Sequence, residues 1–303
     1  MQRISVMGKH LIEKAAVVVC MTILINGIGV FDCKNINAAE EKYEIVDMWG
    51  EETPVEKHEE ETAPEVSENP EEYKTWAVDS EEWKEIFENP EKYPKLMLED
   101  LERNPEILEY VYGYLDASKE VQGGLTESEK KEICPLLMQW DSRWGYVEYG
   151  NYNIGISGCG PTSLSMVLYS FTREETLTPD YLAGVAMEKG YYVKGSGTAW
   201  TFMTQVAQEY GVEVSQTVSL EKEKMIENLE NGGLIICSMR PGDFTDTGHF
   251  IVVCGYDGEK FKVNDPFSYT NSAKLWDFES LEAQAKQVWY YRCQTEYEGK
   301  LNQ

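Results

Sequence analysis

Apolar residues along this chain change their spacing near position 230. Before it they recur every three or four residues, as in Leu164, Val167, Leu168 and Phe171, which places them on one face of a helix. The spacing predicts helices over 164–171, 181–189, 200–210 and 221–230. Afterwards the apolar residues form short β-like runs over 234–239, 249–256, 260–264 and 287–292. Helices followed by a strand-rich part predict an α+β domain over 130–295 rather than a doubly wound sheet. Upstream, Asn-Pro-Glu recurs at Asn69, Asn89 and Asn104, each time with an Asn able to cap, a Pro suited to the first helical position and an acidic first turn. Trp83, Ile86 and Phe87, then Leu96, Met97 and Leu101, then Ile107, Leu108, Val111, Tyr112 and Leu115 follow helical spacing. They predict a small helical region over 80–117, joined to the main domain by a hinge containing Gly123 and Gly124.

Two further segments read as something other than fold. Residues 40–79 are dominated by Glu, carry Pro54, Pro64 and Pro70, and lack apolar periodicity, which predicts an acidic flexible spacer. At the start, Arg3, Lys9 and Lys14 precede AAVVVCMTILINGIGVF, and the small residues Ala38 and Ala39 precede Glu40. This order predicts a signal peptide over 1–39, with an uncleaved single-span anchor as the alternative. Either way the protein is expected to be exported, secreted or at the cell surface, with no membrane partner once the signal is cleaved.

Charge and cysteine content narrow the chemistry. A net charge of −27 with 27 Lys and Arg excludes tight binding to a phosphate backbone, so nucleic acid is not an expected partner. Of seven cysteines, Cys20 and Cys33 leave with the signal, and the odd remainder of Cys134, Cys159, Cys237, Cys254 and Cys293 leaves a thiol unpaired in a monomer. Cys237 and Cys254 lie in apolar runs and read as small buried hydrophobes. Cys134 and Cys293 flank the domain, and a pairing between them is open. No Cys/His spacing suits zinc, and there is no P-loop or dinucleotide fingerprint, so neither metal nor cofactor is expected.

Cys159 is the thiol with a chemical context. In SGCGPTSLSMVLYSF it precedes the helical stripe, with Gly160-Pro161 fitting the first turn. Unsatisfied N–H groups and the helix dipole there favour the thiolate, the nucleophilic form of cysteine. Gly158 and Gly160 have no side chains to obstruct a carbonyl or the backbone donors of an oxyanion, which makes them candidate substrate-binding positions. A structural cysteine packed tightly between glycines is the competing reading.

With His10 in the signal and His58 in the spacer, His249 is the one histidine left to act as its base. In TGHFIVVCGYDGEKFKVNDP, a three-residue loop Tyr256-Asp257-Gly258 would set His249 directly opposite Asp265, where a carboxylate orients and charges an imidazole. A two-residue loop would put the pair on opposite faces. Within KGYYVKGSGTAWTFM, Trp200 is either a substrate anchor on a loop rim or, with Met203 and Val206, part of a core stripe.

SGCGPTSLSMVL, GHFIVVCGYDG and VNDP, with LLMQWDSRWG upstream, resemble the papain-like cysteine peptidases related to the bacteriocin-leader, or double-glycine, peptidases, particularly the secreted stand-alone relatives of Gram-positive bacteria. The resemblance covers roughly 130–295 and implies a papain-like fold, with a nucleophile helix in an N-terminal helical half and a C-terminal antiparallel sheet. It implies Cys159 as nucleophile, His249 as general base and acid, Asp265 as the residue orienting the imidazole, and Gln139 as a side-chain oxyanion donor. The expected partner is a peptide or protein substrate, cell-wall peptides among the alternatives. Since no multi-span segment or nucleotide-binding cassette follows, the transporter-linked role in leader removal is not expected to carry over. Three functional readings result: an exported thiol peptidase, a peptidoglycan endopeptidase or amidase, and a silent adhesion module on the same fold. Gly123-Gly124 reads as a linker in preference to a self-processing site.

Overall fold

Strands whose residues are buried without a break need cover on both faces, and this requirement shapes the main domain. A computed structural model of the chain describes residues 80–293; the expected signal peptide and acidic spacer lie outside them. In chain order the described part opens with α1 (Glu81–Glu88), α2 (Lys95–Arg103) and α3 (Leu108–Gly113). A two-residue ribbon follows, β1 (Glu148–Tyr149) with β2 (Tyr152–Asn153), then α4 (Ile154–Ser157), α5 (Cys159–Thr172) and α6 (Pro179–Glu188). A second ribbon, β3 (Tyr192–Val193) with β4 (Gly197–Thr198), leads to α7 (Trp200–Glu209), β5 (Val212–Thr217) and α8 (Lys222–Glu230). The remainder is β6 (Leu234–Met239), β7 (His249–Tyr256), β8 (Phe261–Asn264), α9 (Tyr269–Ala273), β9 (Leu275–Trp276), α10 (Phe278–Gln284) and β10 (Ala285–Cys293).

Six strands form one antiparallel sheet in the order β5-β10-β6-β7-β8-β9. Alternate residues of its central strands enter two separate cores. Ile236, Phe250, Val252, Trp289 and Tyr291 pack with Leu164, Leu168, Leu182, Phe202 and Met203 of α5, α6 and α7. Ile235, Cys237, Ile251, Val253 and Val288 pack with Met225 of α8 and Leu281 of α10. This double cover is why β6 is buried throughout, with Ser238 its one polar residue, and why period-two alternation is hidden in its sequence. Helix α5 is itself enclosed: besides the predicted stripe it buries Thr162, Ser163 and Ser165, and Ser163 Oγ donates to Phe250 O at 3.2 Å.

The four predicted helices and four predicted strands of the main domain are all present within a few residues, and α+β is its class. Strand β5 is absent from the sequence reading because it is an edge strand with only Val212 and Val214 apolar, and so lacks the apolar run that marks the others. The Asn-Pro-Glu reading needs correction. Asn89 and Asn104 precede short 3₁₀ turns, Pro90–Lys92 and Pro105–Ile107, rather than α-helices. Asn104 accepts from Glu106 N as a cap, whereas Asn89 turns back to donate to Glu85 O. Helix α1 is capped by Ser80 instead. Asn69 lies outside the described residues.

The pairing left open between Cys134 and Cys293 does not form, because Cys134 is a free thiol. Cys134 is drawn inward by Asn264, whose amide donates to its carbonyl at 3.2 Å. Cys237 is a free, fully buried thiol, pushed up to about 12 by burial, in keeping with a small hydrophobe.

Two glycines test this packing in opposite directions. A Cβ on Gly160 would lie 2.6 Å from Thr198 Oγ1 and 2.7 Å from Thr198 Cβ, so Gly160→Ala should cost about 1–3 kcal/mol through overpacking. Exposed Gly184, within α6, has nothing within 4 Å of the same added atom, and Gly184→Ala should stabilise by about 0.5–1 kcal/mol. Denaturant midpoints at unchanged m-value would show the two shifts with opposite sign.

Candidate active site

The turn 138–145 brings Gln139 into the domain. Trp144 is fully buried and donates from Nε1 to Met138 O at 2.8 Å, closing the turn from inside. Arg143 closes it from outside, forking onto Asp141 and Glu129 at 2.6–2.7 Å with its guanidinium 4.2 Å from the Trp144 ring centroid. Gln139 is held from both ends: its backbone N–H donates to Pro266 O at 2.8 Å, and Nε2 donates to Gly155 O at 2.8 Å. The side chain is 2% exposed and Oε1 has no protein partner, while the amide retains a second N–H. It thus joins the turn after Asp265 to α4, the short helix that leads into Cys159.

Cys159 is the first residue of α5, with Gly158 as N-cap. The glycines beside it are small for reasons of packing. A Cβ on Gly158 would meet Ile154 Cγ2 and Ile154 O at 2.5 Å, and one on Gly160 would meet Thr198. Their bareness is therefore demanded by the chain's own neighbours, whatever it offers a substrate. Thr198 in turn shares a 2.7 Å hydrogen bond with the Tyr149 hydroxyl. Burial, aided by the nearby Cys159, pushes that phenol well above its ordinary range.

His249 begins β7 and Asp265 immediately follows β8. The hairpin between them is not the three-residue form. Val253 pairs with Val263, the register shifts at Cys254, and Tyr256 pairs with Phe261, leaving residues 257–260 as the loop. Asp257 closes it by accepting from Glu259 N and Lys260 N, and Gly258 supplies a φ of +102°. His249 and Asp265 are consequently not directly opposed partners in the ladder. Asp265 instead lies in the turn leaving the sheet and reaches His249 from there, Oδ1 to Nε2 at 2.7 Å.

That carboxylate is itself held. Asp265 Oδ1 accepts from Phe267 N at 2.9 Å and Oδ2 from Asn271 Nδ2 at 2.8 Å, while its backbone N–H donates to Ser272 Oγ at 2.9 Å. Ser268 caps α9 by accepting from Asn271 N at 3.1 Å, which orients the helix carrying Asn271 and Ser272. Sequence reasoning missed these supports, because a five-residue helix has too little periodicity to be seen.

An acceptor at Nε2 fixes the proton there and leaves Nδ1 for the thiol. Burial alone would lower the imidazole's pKa, but the charge and hydrogen bond of Asp265, with a smaller contribution from the Cys159 side chain, raise it to about 9. His249 is 6% exposed, Cys159 7% and Asp265 0%. A sulfur, an imidazole and a carboxylate thus form one buried series, with His249 bonded to Asp265 on one side and interacting with the Cys159 side chain on the other.

Trp200 is placed elsewhere. Its ring lies 5.9 Å from Trp289 and under Lys286, and Met203 and Val206 beyond it are fully buried, as the core stripe predicts. Among the described residues no cluster of His, Cys, Asp and Glu is arranged to hold a metal ion, and no helix is long and apolar enough to cross a membrane.

No curated protein matches the chain. Solved structures that it resembles include a C39-like peptidase from Bacillus anthracis, 18% identical over 56% of this chain and 98% of that one, with a TM-score of 0.37. Others are the peptidase domain of Streptococcus ComA, 17% identical over 46% and 93% at a TM-score of 0.35, and a double glycine motif protease from an AMS/PCAT transporter, 21% identical over 57% and 98% at 0.33. The family model described as Peptidase_C39 like family matches residues 134–296, more than half of the sequence and the whole of the span that carries Gln139, Cys159, His249 and Asp265. This chain belongs to the Peptidase_C39 like family, a membership that points to a cysteine peptidase.

Proposed function

We propose that the protein is an exported thiol peptidase acting through Cys159, His249 and Asp265, with Gln139 as oxyanion donor. The observation that carries this reading is the buried hydrogen bond between His249 Nε2 and Asp265, together with the interaction of the same ring with Cys159. The basic, apolar and small-residue order of the first 39 positions supports export.

In this mechanism the imidazolium and the thiolate are paired before substrate arrives, which suits a ring that keeps its proton through neutral pH. The sulfur adds to an amide carbonyl carbon, and the resulting oxyanion takes hydrogen bonds from the second N–H of Gln139 and from a backbone N–H at the start of α5. As the C–N bond breaks, His249 gives its proton to the leaving nitrogen and an acyl thioester remains on Cys159. Water then loses a proton to His249 and adds to the thioester carbonyl, releasing the carboxylic acid and regenerating the thiolate beside the imidazolium. Asp265 keeps the ring oriented throughout, and Asn271 keeps Asp265 oriented.

Three outcomes are expected. Cys159→Ala should abolish peptide hydrolysis, and Gln139→Ala should lower kcat by about 10²–10³ with a smaller change in KM. Iodoacetamide at neutral pH should alkylate Cys159 faster than a free thiol; an ordinary rate, with hydrolysis surviving Cys159→Ala, would sink the assignment. The third concerns pH. His249 has a folded value of about 9, above its ordinary 6.5, so its contribution to stability is complete below pH 6.5 and is lost as pH rises through 9. The melting temperature of the wild type relative to His249→Gln should therefore decline across that window and be flat beneath it.

A further inference from the structure

The helical region 80–113 is docked onto both walls of the candidate site. Its own core of Met97, Leu98, Leu101, Ile107, Tyr110 and Val111 includes a residue of the main domain, Phe267, two positions after Asp265. On the histidine side, the Arg103 guanidinium lies 4.9 Å from the Phe267 ring centroid and 3.9 Å from Asp246 in the loop before β7. Asn104 Nδ2 donates to Phe267 O at 2.6 Å, and the Glu106 carboxylate accepts from Tyr269 N at 2.6 Å and Thr270 N at 2.9 Å. On the cysteine side, the Tyr110 hydroxyl donates to Asn153 Oδ1, the cap of α4, at 2.7 Å. A Cβ on Gly155 would lie 2.3 Å from that hydroxyl, so the ring rests directly on the residue whose carbonyl holds Gln139. Asp100, on α2, is near enough to interact electrostatically with His249.

The chemistry says which half of a substrate this region meets. His249 protonates the departing nitrogen, so the leaving segment must lie against the histidine wall. That wall is formed by Phe267 and the loop carrying Asp246, the surfaces that Arg103 and Asn104 cover. An extended peptide continuing past the scissile bond would need the same space.

We propose that residues 80–113 form an intramolecular cover over the leaving-group side of the site, so that the docked enzyme accepts only small leaving amines and cleaves within a polypeptide only when the cover lifts. The cover remains tethered through residues 115–124, nearly all of them exposed. This inference rests on the thiol-peptidase reading and specifies which substrates that site accepts.

The test compares two substrate sets made from one mixed-sequence acyl library, the first ending in an aminocoumarin amide and the second continuing as a further peptide segment. Wild-type protein should hydrolyse the coumarin amides and be slow on the extended peptides. Arg103→Glu, which sets like charges against Asp100 and Asp246, and Ile107→Glu, which breaks the cover's core, should each raise kcat/KM on extended peptides relative to coumarin amides about tenfold or more. Hydrogen exchange over 80–113 reports undocking in each variant, and iodoacetamide labelling of Cys159 reports an intact main domain. Equal wild-type rates on the two sets would overturn the proposal. So would an unchanged ratio in a variant whose cover has undocked, or an equal rise on both sets. Failure of every form to hydrolyse either set, with Cys159 alkylated at an ordinary rate, would instead overturn the peptidase reading on which the cover depends.

Discussion

A buried imidazole tends to lose its charge, and the negative charge of Asp265, with the hydrogen bond it accepts from His249, reverses that tendency. With both groups almost wholly removed from water, screening is weak and the attraction between them is large. The rest of the site follows from keeping this pair intact. Phe267 N and Asn271 occupy the lone pairs of Asp265 that water would otherwise claim, the first from the turn after Asp265 and the second from the capped helix α9. Removing any one of these donors leaves part of a buried carboxylate unsatisfied.

The pair also explains why the sheet ends where it does. If β8 continued in register, Asp265 would be a ladder residue with its backbone committed to β7. By leaving the sheet after Asn264, the chain frees Asp265 to reach His249 and sends Pro266 O to Gln139 N. One turn thereby connects the imidazole to the candidate oxyanion donor. The side chain of Gln139 bonds Gly155, so the histidine and cysteine walls are joined through the backbone and side chain of a single residue.

The same two walls are bridged a second time from outside, by the helical region. Contacts to Phe267 on one side and to Asn153 and Gly155 on the other are what the proposed cover rests on. Asp100 shows how close the cover approaches. Burial raises its pKa to about 7, against the opposing pull of Arg103 and His249. A carboxyl that resists ionisation while feeling the charge of His249 belongs to the candidate site's electrostatics although it comes from a different part of the chain.

The positions of α5 to α8 and of β6, β7, β8 and β10 were legible in the sequence, because helical spacing and apolar runs are properties of neighbouring residues. Cys159 at the head of a helix was legible for the same reason. The hairpin was legible only in outline. His249 and Asp265 do meet, yet a four-residue loop and a register shift bring them together through a turn rather than across a ladder, and no local pattern specifies that path. The roles of Asn271, Phe267 and Asp100 were invisible beforehand, since each depends on contacts between residues far apart in the chain. By itself the sequence determined the longer helices and the buried strands of the main domain and which thiol lies at a helix start. Only the tertiary structure decided what surrounds that thiol, because burial, charge coupling and the docking of the N-terminal helices arise when distant segments close on one another.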